Sequence, residues 1–379
     1  MTLPHLRLPA PSGPYAVGFL DGTFASPVPG GGAEEISFRC FYPARSALGR
    51  PAPYYPDPQM ADMQASLPMF EPFGALLHAM AVMPTHGFAQ APVADLDGER
   101  FPVLVYSHGY MSFALSNLIQ HEELASRGYV VFAMSHPGDA FCTVLRDGSR
   151  VGINPDTVRR ATEDNMRFMQ EIGKSDPDSL TTEEISAYLR TAHELGARVE
   201  AWARHTIDAF DEIEKMASDP HSPLHGKLDL RGFGLFGHSL GGASSLHTAL
   251  LDERVLAAVN LDGWQYGAGL LERTMPVPGL VMATGEHHLP GNFRTDDTNL
   301  TYAVVSGSTH WFFCDMAVLA EAPLKTIEPS VTIDGSVMSQ LTSDLLSAFF
   351  DRHVRGRSEA SLEAAADRYP QNVRIKHPV

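Results

Sequence analysis

The chain has 379 residues, 44% of them hydrophobic and 19% charged, a balance that suits a folded protein with a sizeable core and argues against disorder. A formal net charge of −17 provides no basic footprint for nucleic acid and no attraction to an anionic membrane surface. Three cysteines, Cys40, Cys142 and Cys314, form no CxxC pair and imply neither a disulfide framework nor a zinc or redox motif.

The N-terminal stretch MTLPHLRLPAPSGPY lacks the apolar run of a signal peptide. No run of about 18 apolar residues follows, so a cytoplasmic protein without a membrane span is expected. Tyr15–Leu20 and Ile36–Tyr42 read as two strands. The segment between them, with Asp21-Gly22 and Pro29-Gly30-Gly31-Gly32, reads as a loop. Residues 51–98 are rich in Pro, Met and Ala and read as a long excursion carrying one short helix. Phe101–Ser107 is a buried strand, Leu115–Ser126 a helix closed by Arg127-Gly128, and Tyr129–Met134 the next strand. That βαβ order predicts a parallel sheet.

Residues 140–228 read as a polar helical insertion. Within it, apolar residues from Ile185 to Ile213 recur at three- and four-residue steps, predicting one amphipathic helix of about eight turns with a bend at Gly196. The sheet pattern resumes at Gly232–Phe236, Val255–Leu261, Gly279–Ala283 and Tyr302–Val305. Met338, Leu341, Leu345 and Phe349 mark a closing helix, and the tail after Arg357 reads as polar and loose. The expectation is one α/β domain: a mostly parallel central sheet flanked by helices, with a helical insertion.

The sharpest motif is Gly237-His238-Ser239-Leu240-Gly241, a G-x-S-x-G between the apolar strand GFGLF and the small-residue helix start GGASSLHTAL. A tight strand-to-helix turn of this kind exposes a serine oxygen at the top of an α/β-hydrolase sheet. The helix N-terminus adds free N–H groups and a positive dipole end. A serine hydroxyl needs a base, and in this fold an acid and then a histidine follow the serine in the chain. His247 lies two turns down the nucleophile helix, and His353 and His377 fall in or beyond the last helix. His310, in the loop SGSTHW just after the last strand, stands where this fold puts its base. Two carboxylates qualify as the acid: Asp262 at the end of VLAAVNL and Glu286 at the end of GLVMATG, the more usual position. The oxyanion donors expected are the N–H of Leu240, after the nucleophile, and that of Tyr110, in the loop His108-Gly109-Tyr110-Met111. His287-His288 lacks a spaced third ligand, so neither metal nor cofactor is expected.

Several segments together resemble the platelet-activating-factor acetylhydrolase family, in its lipoprotein-associated and intracellular type II branch. They are GPYAVGFLD with FRCFYPA, VLVYSHGYMSF, LASRGYVVFAMSH, FGHSLGGASS, AAVNLDGW and SGSTHWFFCDM, and the resemblance covers about residues 13–355. LDGW and STHWFF in that order are its most specific part. The resemblance implies the α/β-hydrolase fold, metal-free hydrolysis of short-chain or lipid-like esters, Asp262 as the acid and His310 as the base. It places a smaller aliphatic residue where this chain has Tyr110. Family access to lipid involves apolar surface helices; here Met69, Phe70, Phe73, Leu76, Leu77 and Met80 form an apolar face that reads more readily as core. The same machinery also suits polyester, phthalate-type or other xenobiotic esters, and a silent binding module on a hydrolase fold is the reading from another class.

Overall fold

The computed structural model describes residues 6–95, 98, 100–172, 181–267, 272–285 and 297–377. The chain opens with a long antiparallel pair, β1 (Ala16–Pro27) and β2 (Ala33–Ala44). The sequence predicted a loop from Asp21, yet β1 runs on to Pro27 and turns only at Val28–Gly32. Two cross-strand contacts account for the difference. Asp21 faces Arg39 and accepts two hydrogen bonds from its guanidinium at 2.7 and 2.8 Å. Gly22 faces Phe38, whose ring comes within 2.4 Å of where a Cβ would stand. An Asp-Gly pair here is a packing device, not a turn.

The excursion holds more than one short helix. It contains β3 (Pro51–Pro53), α1 (Gln59–Ala65), a 3-10 helix at Pro68–Phe73, α2 (Gly74–Ala81) and β4 (Pro84–Ala89). Phe70, Phe73, Leu76, Leu77 and Met80 are buried and Met69 is exposed, so the apolar face is mainly core. Then come β5 (Phe101–Ser107), α3 (Leu118–Ser126), β6 (Val130–Ser135) and a small hairpin, β7 (Cys142–Val144) with β8 (Arg150–Gly152). After α4 (Pro155–Ile172), the expected long helix is two, α5 (Thr182–Arg190) and α6 (His193–Ser218), with the break at Thr191-Ala192 and not at Gly196. Asp164 of α4 explains the site of the break. Its carboxylate accepts the Glu194 N–H at 2.6 Å and so caps the start of α6.

β9 (Leu228–His238), α7 (Leu240–Ala249), β10 (Val255–Leu261), β11 (Gly279–Thr284) and β12 (Leu300–Val305) complete the parallel run. A 3-10 turn at His310–Phe313, α8 (Met316–Leu319), α9 (Glu321–Ile327) and α10 (Gly335–His353) follow. The tail is not loose: it forms α11 (Leu362–Ala366) and β13 (Val373–Lys376), which pairs antiparallel with β12. The eleven-stranded order is β13-β12-β11-β10-β9-β5-β6-β2-β1-β4-β3.

Both faces of the sheet are covered, as continuous apolar strands require. Along β5, Leu104 and Tyr106 pack toward α3 and α10, while Phe101, Val103 and Val105 pack toward α6 and α7. Phe210 of α6 stacks on Phe233 of β9, with ring centroids 4.2 Å apart. Among the described residues no helix is long and apolar enough to cross a membrane.

Candidate active site

The carboxyl ends of β5, β9, β10 and β12 converge on one cavity of about 730 Å³. β9 and α7 meet at Ser239, whose φ of 55° and ψ of −122° make it a sharp elbow. A non-glycine residue held at positive φ stores of the order of 1–3 kcal/mol. The elbow is possible because its neighbours are thin: a Cβ on Gly241 would stand 2.1 Å from the Ser107 carbonyl oxygen. The Ser239 N–H is tied to the Leu261 carbonyl at 2.8 Å, and the side chain lines the cavity.

Asp262 follows β10 directly, also at positive φ (58°), and is buried. Its Oδ1 accepts the Thr284 N–H at 2.9 Å, and its Oδ2 lies 2.8 Å from Nδ1 of His310. A carboxylate only accepts, so Nδ1 carries the hydrogen and Nε2 is left with a lone pair. His310 begins the 3-10 turn after β12, and its side chain is 43% exposed. The preceding Thr309 hydroxyl is bonded to Glu328. Glu286, the other carboxylate the sequence offers, and His287-His288 lie outside the described residues. Among the described residues no cluster of three or more His, Cys, Asp or Glu is placed to hold a metal.

The N–H groups of Leu240 and Tyr110 have no hydrogen-bond partner among the described residues, and both residues line the cavity. Two bonds orient the Tyr110 N–H. The Gly109 carbonyl accepts from Nδ1 of His108 at 2.7 Å and from the Ser112 N–H at 3.0 Å. In a planar trans peptide the next N–H points the opposite way. His108 can donate there because its Nε2 accepts the His136 N–H at 3.2 Å, which fixes the tautomer. Burial holds the His108 imidazole neutral, its pKa pushed down to about 4.

Behind His108 runs a buried chain. Ser107 Oγ lies 3.1 Å from Nε2 of His136, whose Nδ1 is 3.1 Å from Nδ1 of His205; His205 Nε2 in turn is 3.2 Å from Glu34. One direction of donation fits the three contacts: the Ser107 hydroxyl to His136, His136 Nδ1–H to His205, and His205 Nε2–H to the Glu34 carboxylate. The Trp202 ring stacks on His136 at 4.0 Å and donates its N–H to Asp139 at 2.7 Å. Burial raises the Asp139 pKa to about 6. Sequence reasoning gave His108 and His136 no role. The only signal was their place, one residue past the ends of adjacent parallel strands.

The wider cavity has two sides. Tyr110, Ala161, Met169, Leu195, Trp264 and Tyr266 form one, with Phe168 of α4 packed edge-on against Trp264 at 5.0 Å. Phe70 and Trp311 form part of the other, edge to face at 5.7 Å. Cys314 also lines it, but burial pushes its thiol up to about 12 and leaves it a poor nucleophile. A second cavity, about 660 Å³ beside Asp21 and Arg39, holds none of these groups.

The family described as "Platelet-activating factor acetylhydrolase, isoform II" matches residues 1–364. Platelet-activating factor acetylhydrolase of Cavia porcellus is 25% identical over 372 residues, covering 92% of this chain and 78% of that protein. That of Gallus gallus is 22% identical over 371 residues, covering 92% and 84%. Among solved structures, a ferulic acid esterase from Streptomyces cinnamoneus superposes with a TM-score of 0.67 at 23% identity, over 93% of this chain and 94% of that one. With its elbow serine, its mostly parallel sheet and a family match over nearly its whole length, the chain belongs to the platelet-activating factor acetylhydrolase isoform II family and is a serine ester hydrolase of the α/β-hydrolase fold.

Proposed function

We propose that this protein hydrolyses short-chain carboxylic esters of lipid-like alcohols through an acyl-enzyme on Ser239. The observation that carries the reading is the 2.8 Å bond between His310 Nδ1 and Asp262, beside a strained serine in the same cavity. His310 Nε2 takes the Ser239 proton as Oγ attacks the ester carbonyl. The Leu240 and Tyr110 N–H groups hold the oxyanion, and Asp262 stabilises the imidazolium. The alcohol leaves with the proton from His310. Water then loses a proton to His310 and cleaves the acyl-enzyme, regenerating Ser239.

The relatives' name supports an acetyl-sized acyl group. A second reading, a phthalate-type or other aromatic ester, is supported by the aromatic lining from Phe70, Tyr110, Trp264, Tyr266 and Trp311. Hydrolysis of p-nitrophenyl esters from acetate to decanoate, with a benzoate and a phthalate ester beside them, separates the two. Wild type turns over fastest at the short end and Ser239→Ala loses the activity. Turnover that survives in Ser239→Ala, or an optimum at decanoate, contradicts the proposal. Faster turnover of a benzoate or phthalate ester than of acetate favours the second reading.

A further inference from the structure

His238, between Gly237 and Ser239 in the elbow, takes no part in the steps above, yet its ring lies against His310. The ring is buried, and its centroid stands 4.6 Å from that of His310 at an interplanar angle of 34°. Its Nε2 is 3.0 Å from the His310 carbonyl oxygen. A carbonyl only accepts, so Nε2 carries the hydrogen. Nδ1 is then a lone pair with no partner among the described residues. It faces the oxyanion loop, 3.0 Å from where a Cβ on Gly109 would stand. The charged or titratable groups that act on this ring are His310, Asp262 and His108. Burial first, and the neighbouring His310 second, push the His238 pKa down to about 3, so the ring stays neutral while His310 gains and loses its proton.

We propose that His238 is a positioning residue for His310: its Nε2–H fixes the main chain at the start of the 3-10 turn, and its uncharged face supports the imidazole that meets Asp262. The geometry explains the residue type. The position asks for a donor that reaches across to the next loop, a flat apolar face, and no charge beside a histidine that becomes cationic. Lysine and arginine offer the donor with a charge, and phenylalanine offers the face without the donor. The proposal rests on the reading of His310 as the base.

The test compares His238→Phe, which keeps a ring and loses the donor, with His238→Gln, whose side-chain amide can reach the same carbonyl. Both are measured beside wild type and His310→Ala, on a short p-nitrophenyl ester across pH, with thermal unfolding as the folding check. His238→Phe is expected to lower kcat by about 10- to 100-fold with little change in KM, as for a misplaced general base. The acid limb of its kcat/KM profile moves to lower pH, because an imidazolium parted from Asp262 is less stable. His238→Gln recovers most of kcat and the wild-type limb. If His238→Phe does not fold, His238→Asn, too short to reach the carbonyl, takes its place with the same expectation. A donor-less variant with wild-type kcat and an unmoved limb overturns the proposal, as does a Gln variant no better than Phe. If His310→Ala stays active, the assignment of the base falls and this proposal with it. If His310→Ala is inactive while His238→Phe is fully active, only the positioning proposal falls.

Discussion

Single residues decide what the cavity can do. From the sequence, Asp262 and Glu286 compete as acid on position alone, and only the family resemblance separates them. The structure shows why Asp262 is well placed: it leaves β10 at positive φ, and the end of β11 serves it by donating the Thr284 N–H. Asp262→Asn is expected to lower kcat by about two to four orders of magnitude while leaving binding of a competitive ester analogue intact, a split read from kcat against KM. The histidine tautomers were not legible, because they follow from contacts across separate loops. Nothing in the order Ser-His-Gly-Tyr says that His108 turns its Nδ1 onto Gly109, or that His136 reads its other nitrogen. His108→Ala removes one of the two bonds on the Gly109 carbonyl and leaves that from the Ser112 N–H, and is expected to cost up to about 100-fold in kcat, the usual loss when an oxyanion donor is removed outright. A matching drop in affinity for a boronic acid inhibitor checks this; unchanged affinity speaks against an oxyanion role for Tyr110.

At the scale of elements, legibility followed burial. The strands of the parallel run are continuous apolar segments, and they appear within a few residues of their predicted bounds. The two strands at the far end of the sheet were missed for the opposite reason: β3 is a three-residue edge strand bounded by prolines, and β4 beside it opens on Pro84 and is buried only at Thr85 and Gly87. β13 alternates Val373 and Ile375 with Arg374 and Lys376, but over only four residues, too short a run to stand out in a polar tail. The break between α5 and α6 was invisible because apolar periodicity runs straight through it. What stops the helix is a carboxylate from another helix, Asp164 on the Glu194 N–H. Asp164→Ala is expected to destabilise the protein by about 1 kcal/mol, as other lost caps do, and to lower Tm by about 1–2 °C at this chain length. Differential scanning calorimetry checks it.

The whole molecule carries a set of buried imidazoles that set its response to acid. His108, His121, His136 and His238 are fully buried, and burial depresses the pKa of each, to about 4, about 3, well below normal, and about 3. An unfolded chain protonates such residues near pH 6.5, so the unfolded state binds more protons and stability falls with pH below that value. Each proton difference is worth about 1.4 kcal/mol per pH unit. Asp139 and Asp315 act the other way: burial raises their pKa values, so their contribution is present at low pH and lost as pH rises. The four histidines outnumber the two carboxyls, and Tm is expected to decline from pH 6.5 to pH 4. A Tm that holds level or rises over that range contradicts the neutral-histidine assignment.

The central claim is an acyl group carried by Ser239, and trapping that intermediate tests it directly. The protein is mixed with p-nitrophenyl acetate, quenched in acid within the first turnovers, digested and read by mass spectrometry. The account predicts one acetyl group on the peptide bearing Gly237-His238-Ser239, absent in Ser239→Ala. Acetate found on another residue of an active enzyme, with Ser239 unmodified, would contradict it.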